Sequence, residues 1–303
     1  MPMIQLKQVV KRIDKDIILD HMSLNIRKGS IYGLLGSNGA GKTTILKMIA
    51  GIYKQEEGMV TVEGEQIFEN TSLKQKMFFI ADYPSFLPHY TTKQMASFYK
   101  EQYSNWSDEL FNKMGDQLDI DKNKKIHHFS KGVQRQIAFW LAFSTQPEIL
   151  ILDEPFDGLD PVIRSKVKKL IVNQVAESEM TVIISSHNLS EVEDLCDHIS
   201  IIHKGKCLVE NDIDDIKLDF HKIQVAFSEQ GSVGQLKDSL DIVHLEQRGS
   251  VSMLIVKGDR ETIVKQIELL SPLLLDILPL TLEEIFIYQM EELDYAIKET
   301  FIL

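Results

Sequence analysis

The sequence predicts an α/β core of parallel strands that binds a phosphate at one strand end, and three observations carry that prediction. Gly36-Ser37-Asn38-Gly39-Ala40-Gly41-Lys42-Thr43-Thr44 fits the pattern GxxxxGK[ST]. The apolar run Ser30 to Leu35 before it is short enough for a buried strand, and Ile45 to Ile49 after it reads as a helix. Two further all-apolar runs, Ile149 to Leu152 and Val182 to Ile184, flank a helical stretch at 162–176, which is the pattern of parallel strands covered on both faces.

The elements follow in order. Residues 3–27 read as strands, with Ile17-Ile18-Leu19 and then Met22, Leu24 and Ile26 in alternation. Val60 to Val62 and Ile67-Phe68, around the turn Glu63-Gly64-Glu65, form a hairpin, so an antiparallel layer should lie beside the phosphate loop. From 88 to about 145 the period becomes helical: Met95, Phe98, Tyr99 and Tyr103 recur at helix spacing, and Ile137, Trp140, Leu141 and Ser144 repeat the pattern after Ser130. The acidic run Glu210 to Asp215 reads as a linker, dividing residues 1–212 from 217–303. Beyond it come a strand at 223–227, a helix at 232–240, strands at 242–247 and 251–256, a helix at 260–270 and a strand at 273–278. That βαββαβ order predicts a small α+β domain of the ferredoxin-like kind, closed by a helix from Leu282 to about Tyr295. Residues 220–303 hold no chemical motif, and a dimerisation or regulatory role is expected there.

Length and composition narrow the class. The 303 residues suit two domains, each with its own core. No run approaches the roughly 18 apolar residues that span a bilayer, and the start MPMIQLKQVVKR lacks the apolar centre of a signal peptide, so a cytoplasmic protein is expected. A net charge of −12 argues against nucleic acid as a partner. Cys196 and Cys207 are the only cysteines, which fits a reducing compartment. With His198 and His203 they depart from zinc-binding spacings, and the apolar Ile199 to Ile202 between the histidines reads as a strand.

The chemistry expected of the core follows from residue type and place. Glycines in the loop let successive N–H groups turn inward on a phosphate, and the helix behind adds the positive end of its dipole. Lys42 should reach the β- and γ-phosphates, and Thr43 should hold Mg²⁺. The strand 149–152 runs into Asp153-Glu154 and is stopped by Pro155. Asp153 can share the Mg²⁺ with Thr43, while Glu154 can polarise a water towards the γ-phosphate.

With Phe129-Ser130-Lys131-Gly132-Val133 added, the chain resembles the ATP-binding subunit of ABC transporters, over residues 3 to about 210. That pentapeptide stands where the family has LSGGQ, or LSKGM in many bacterial exporters. Gly158-Leu159-Asp160-Pro161 matches the D-loop, and Ser185-Ser186-His187 matches the switch histidine. The resemblance implies a P-loop ATPase in which Lys42, Glu154 and His187 are catalytic. It also implies that residues 129–133 meet the nucleotide of a second subunit, in a head-to-tail dimer with an identical or a similar chain. Asp160 would then cross the dimer interface, and a multi-pass membrane permease would be the partner on the inner face of the cell membrane. Leu280 to Phe286 is similar to the tail of exporters of peptides, antibiotics and lipids, so export of such a substrate is implied. A soluble ABC-type ATPase of translation or DNA maintenance is the competing reading, though such proteins usually join two cassettes or insert coiled coils.

Three positions depart from the family. Ile13 aligns with the aromatic residue that stacks on adenine, and it can pack on the base but not stack. Asp82 aligns with the glutamine that contacts Mg²⁺ or water. Val133 replaces a signature side chain that contacts ribose. Near Asp82, the family receives a short helix of the membrane subunit in a groove, where Tyr83, Phe86 and Tyr90 are expected.

Overall fold

Residues with alternating burial build the first layer. In the computed structural model, which describes residues 2–228, 232–285 and 287, β1 (Ile4–Ile13) and β2 (Asp16–Ile26) pair antiparallel. β3 (Ile31–Leu35) is buried on both faces and leads through the phosphate loop into α1 (Lys42–Ile49). β4 (Glu57–Val62) and the short β5 (Glu65–Gln66) complete an antiparallel sheet in the order β2-β1-β4-β5. Ile45, Leu46 and Ile49 of α1 share one core with Leu6, Leu24 and Val62 of that sheet.

After α2 (Thr71–Lys74) and β6 (Met77–Ile80) comes the helical block of α3 (Thr92–Gln102), α4 (Asp108–Leu118) and α5 (Lys131–Ser144). The chain then alternates through β7 (Ile149–Asp153), α6 (Pro161–Ser178), β8 (Thr181–Ser186), α7 (Leu189–Glu193), β9 (His198–His203) and β10 (Lys206–Asp212). The second sheet has the order β10-β9-β3-β8-β7-β6. Its pairs β3–β8, β3–β9, β6–β7 and β7–β8 are parallel, with Asp153 opposite Ser185. The chain leaves β3 for the far edge and returns through β7 and β8, so the carboxyl ends of β3, β6, β7 and β8 meet along one rim. In an open parallel sheet that rim is where ligands bind.

The block is held by an aromatic centre. Trp140 of α5 stacks on Phe111 of α4 at 4.6 Å between centroids, and its indole Nε1–H donates to the Phe111 carbonyl at 2.7 Å. Gly115 lies against the same ring: a Cβ there would sit 2.6 Å from Trp140 Cζ2. The ring is pinned by its stack and hydrogen bond, so the overpacking outweighs the helix propensity an alanine adds. Gly115→Ala is therefore expected to lower stability by about 1–2 kcal/mol, read as a drop in the thermal midpoint of the full chain. An unchanged or higher midpoint would show that the ring moves aside.

The described residues divide into two compact units, with the division between Glu210 and Asn211. The acidic run at 210–215 is not a loop: it ends β10 and opens α8 (Ile213–Asp219), with Asp214 and Asp215 in the first turn. Carboxylates are favoured there by the helix dipole, so the chain passes from one unit to the next through a strand end and a helix start rather than a loop. In the second unit β11 (Phe220–Ala226), α9 (Ser232–Ser239), β12 (Asp241–Arg248), β13 (Val251–Lys257), α10 (Arg260–Glu268) and β14 (Leu274–Leu278) follow in the expected βαββαβ order. Their sheet, β12-β13-β11-β14, is antiparallel and has the ferredoxin-like arrangement. Ile223, Val225, Leu254, Val256, Ile263 and Ile267 form its core. Of the final helix expected over 282–295, the turn Leu282–Ile285 is helical and reciprocally capped by Thr281 and Glu284, and the remainder lies outside the described residues apart from Ile287.

Candidate active site

The phosphate loop follows β3 and closes tightly on its neighbours. A Cβ on Gly36 would lie 2.3 Å from the Ile202 carbonyl oxygen, so β9 admits only glycine at that point. Gly41 is the N-cap of α1 at φ 110°, a backbone that side chains disfavour, and no side chain caps the helix. The first N–H groups of α1 therefore face the loop and suit an anion. Lys42, only 6% exposed, donates from Nζ to the carbonyls of Gly36 at 2.6 Å and Ser37 at 3.3 Å.

The end of β7 meets the loop from the other side. Thr43 Oγ1 donates to Asp153 Oδ2 at 2.9 Å, and Asp153 is 4% exposed. Ser185, across the β7–β8 pair, donates from Oγ to Asp153 Oδ1 at 2.7 Å and accepts the Glu154 N–H at 2.9 Å. Glu154 adopts φ 44°, an uncommon left-handed conformation outside glycine. This turns its side chain away from Asp153 and into the cleft. There Oε1 lies 3.1 Å from Lys42 Nζ, and Oε2 lies 3.0 Å from Nδ1 of the half-exposed His187. Lys42, Thr43, Asp153, Glu154 and His187 thus form one connected set.

A cleft of about 560 Å³ is lined by Lys42, Thr43, Asp153 and Glu154 of this set, though not by His187, together with Ile13, Ser37, Asn38, Gly39, Gly41, Thr44, Asp82 and Tyr83. Gly36 and Ala40 form the loop behind it, and Ala40 is buried. Asp82 does not present a free carboxylate: its Oδ1 lies 3.2 Å from Arg135. The signature Phe129-Ser130-Lys131-Gly132-Val133 does not line the cleft. Ser130 caps α5, accepting the Val133 N–H at 3.4 Å, while Lys131 sits 5.6 Å from the Tyr83 ring and Phe129 lies under Lys124. Gly132 passes close to the Gly158 carbonyl. Asp160, outside the cleft too, caps α6 by accepting the N–H groups of Val162 and Ile163 at 3.0 Å. Of the aromatics expected at a docking groove, Phe86 lines a second cleft of about 210 Å³ with Phe78, Pro84, Tyr99 and Leu141. Tyr83, 73% exposed, borders the first cleft instead, and Tyr90 borders neither.

Two residues escaped the reading of the sequence. Ser185 had no signal of its own beyond its place two before His187. Arg135 had one: it is a cation two residues before the stretch of α5 that is buried on all sides, Ile137 to Ser144.

An acid and a lysine poised at the mouth of a phosphate loop, on the rim of a parallel sheet, define a P-loop ATPase. Residues 19–157 match the model of the family described as ABC transporter. The ABC transporter ATP-binding protein YtrB of Bacillus subtilis (strain 168) is 33% identical over 286 residues, covering 94% of this chain and 97% of that protein. The bacitracin transport ATP-binding protein BcrA of Bacillus licheniformis is 33% identical over 261 residues, 79% of this chain and 85% of its own. A solved ATP-binding subunit of an ABC transporter has the same fold, with a TM-score of 0.65 at 24% identity over 71% of this chain and 92% of that one. A dimeric post-hydrolysis ATP-binding cassette bound to ADP and Pi superposes with a TM-score of 0.63 at 21% identity over 70% of this chain and 99% of that one. The chain belongs to the ATP-binding proteins of ABC transporters, and it is an ATPase that drives transport. That membership sets aside the reading as an ATPase of translation or DNA maintenance.

Proposed function

We propose that this chain drives export of a peptide, antibiotic or lipid-like substrate through a separate multi-pass membrane subunit. It would work as a head-to-tail dimer with an identical or similar chain, peripheral on the inner face of the membrane. The observation that supports a hydrolytic motor is the joined set Lys42, Glu154 and His187, with separations of 3.1 and 3.0 Å. Lys42 binds the terminal phosphates, Glu154 takes the proton of the attacking water, and His187 orients Glu154 and senses the γ-phosphate. The loop 36–44 holds the triphosphate, with Ile13 packing on the base.

The donors fit Mg²⁺. The Thr43 hydroxyl and the Asp153 carboxylate are hard oxygen ligands 2.9 Å apart, and Ser185 orients the carboxylate. These two residues would hold the ion, which supplies charge neutralisation on the phosphates. Asp82 would meet only its water shell, since Arg135 already engages one oxygen. Ser130 and the open start of α5, which carry no partner in the cleft, suit the γ-phosphate held by the opposite subunit, with Asp160 at the crossing between subunits.

No helix among the described residues is long and apolar enough to cross a membrane, and the proposal gives the substrate path to the separate membrane subunit. The bacitracin and lantibiotic transport proteins among the relatives support a lean to export. A tagged chain extracted in mild detergent is expected to bring down a polytopic membrane protein. Phe86→Glu, which places a charge in the second cleft, should release that protein by at least tenfold while ATP affinity stays within about twofold. Recovery of ribosomes, or loss of partner and nucleotide together, would sink the proposal.

A further inference from the structure

Arg135 is 6% exposed and uses its guanidinium to join three backbone segments. Nη1–H groups donate to the Glu154 carbonyl at 2.7 Å and to the Asp157 carbonyl at 2.7 Å. Nη2 donates to the Asp82 carbonyl and, at 3.2 Å, to Asp82 Oδ1. A buried cation is held at the expense of its hydration, so four acceptors converging on one guanidinium are a built feature rather than a chance contact. Three of its four acceptors are main-chain carbonyls.

The three segments have different duties. Asp82 follows β6, Glu154 and Asp157 follow β7, and Arg135 itself stands one turn into α5, the helix that Ser130 caps. Glu154 is gripped at both ends of its residue: its N–H goes to Ser185 and its carbonyl to Arg135. A left-handed conformation at a non-glycine residue persists only when its surroundings over-determine it. Here the two grips do so, and they set the direction in which the Glu154 carboxylate enters the cleft.

We infer that Arg135 is a positioning residue for hydrolysis: it fixes the backbone of Glu154 and ties that backbone to the signature helix. The inference rests on the role proposed above for Glu154. Arg135 touches neither the phosphate loop nor the bonds of Lys42 and Thr43, so nucleotide binding does not depend on it. The dependence falls on turnover, where a misplacement of about 1 Å can lower the rate a hundredfold. Arginine is required by geometry: a lysine carries the charge but cannot span acceptors on two separate segments in one plane.

The test uses the full-length chain, with phosphate release measured against MgATP concentration, nucleotide affinity from a fluorescent ATP analogue, and thermal midpoints. Arg135→Gln is expected to lower kcat by roughly tenfold to a hundredfold, with KM and nucleotide affinity within about threefold of wild type. Arg135→Lys should fold with a wild-type midpoint and recover only part of kcat. Full activity in the Lys variant would overturn the inference, because charge alone would then suffice. So would a Gln variant whose kcat is unchanged, or one whose affinity and midpoint fall together with kcat. Glu154→Gln is measured alongside: turnover retained there removes the target carboxylate and the underlying reading, whereas turnover lost there and kept in Arg135→Gln overturns the inference alone.

Discussion

Glu154→Gln is expected to bind MgATP at least as tightly as wild type and to hydrolyse it at least about a hundredfold more slowly, the lower bound for removing a positioned general base. Glutamine keeps the shape of the side chain and its neighbour His187, but it cannot accept the water's proton. It also carries no charge, so Lys42 Nζ, which lies 3.1 Å from Glu154 Oε1, loses its anionic competitor to the phosphates. Affinity and turnover should therefore move in opposite directions, which a general loss of structure would not produce. With hydrolysis blocked, MgATP should hold two subunits together, visible as a dimer by light scattering after size exclusion. A monomer at saturating MgATP would count against the closure scheme, and undiminished turnover would assign the base elsewhere.

Lys42→Ala is expected to show the other pattern. A charge-assisted bond to phosphate contributes about 1.5–3 kcal/mol, so the Kd for ATP should rise by roughly tenfold to a hundredfold. Turnover should drop further, since Lys42 also meets charge that develops on the leaving phosphates. Arginine will not substitute: Nζ sits 2.6 Å from the Gly36 carbonyl in a loop too close for a guanidinium fork. Titration calorimetry with ATP reads the first effect and phosphate release the second. An unchanged Kd would mean that the loop amides alone hold the triphosphate.

Much of the core was legible in the sequence because its signals are local. The phosphate loop is nine consecutive residues, and β3, β7 and β8 are buried throughout, with apolar runs at 149–152 and 182–184, because both faces of a parallel sheet are covered. The ferredoxin-like order of the second unit also follows from element sequence, since few arrangements of βαββαβ obey short, right-handed connections. What stayed hidden depends on contacts distant in sequence. Ser185 meets Asp153 across 32 residues, and Arg135 meets Asp82 across 53. Neither distance is encoded by a motif; both arise from strand register and from where α5 crosses the sheet. The acidic run after Glu210 lies where the two units divide but does not reveal the local conformation, because solvated loops and helix starts favour the same carboxylates. Phe78 of β6 and Phe86 line the same cleft, the first buried and the second half-buried, and their spacing alone does not show that they meet there.

The hydroxyl of Ser185 has a wider meaning. Asp153 and Glu154 are adjacent acids with different duties, and nothing in their chemistry says which should face a metal and which a water. The pairing of Asp153 with Ser185 across β7 and β8 makes the distinction: one acid is bound as an acceptor, and the next is turned out by its own N–H. A slip of one residue between the strands would offer that hydroxyl to the wrong neighbour. The sheet therefore acts as an address system, in which the alignment of two strands decides which of two similar groups receives which task.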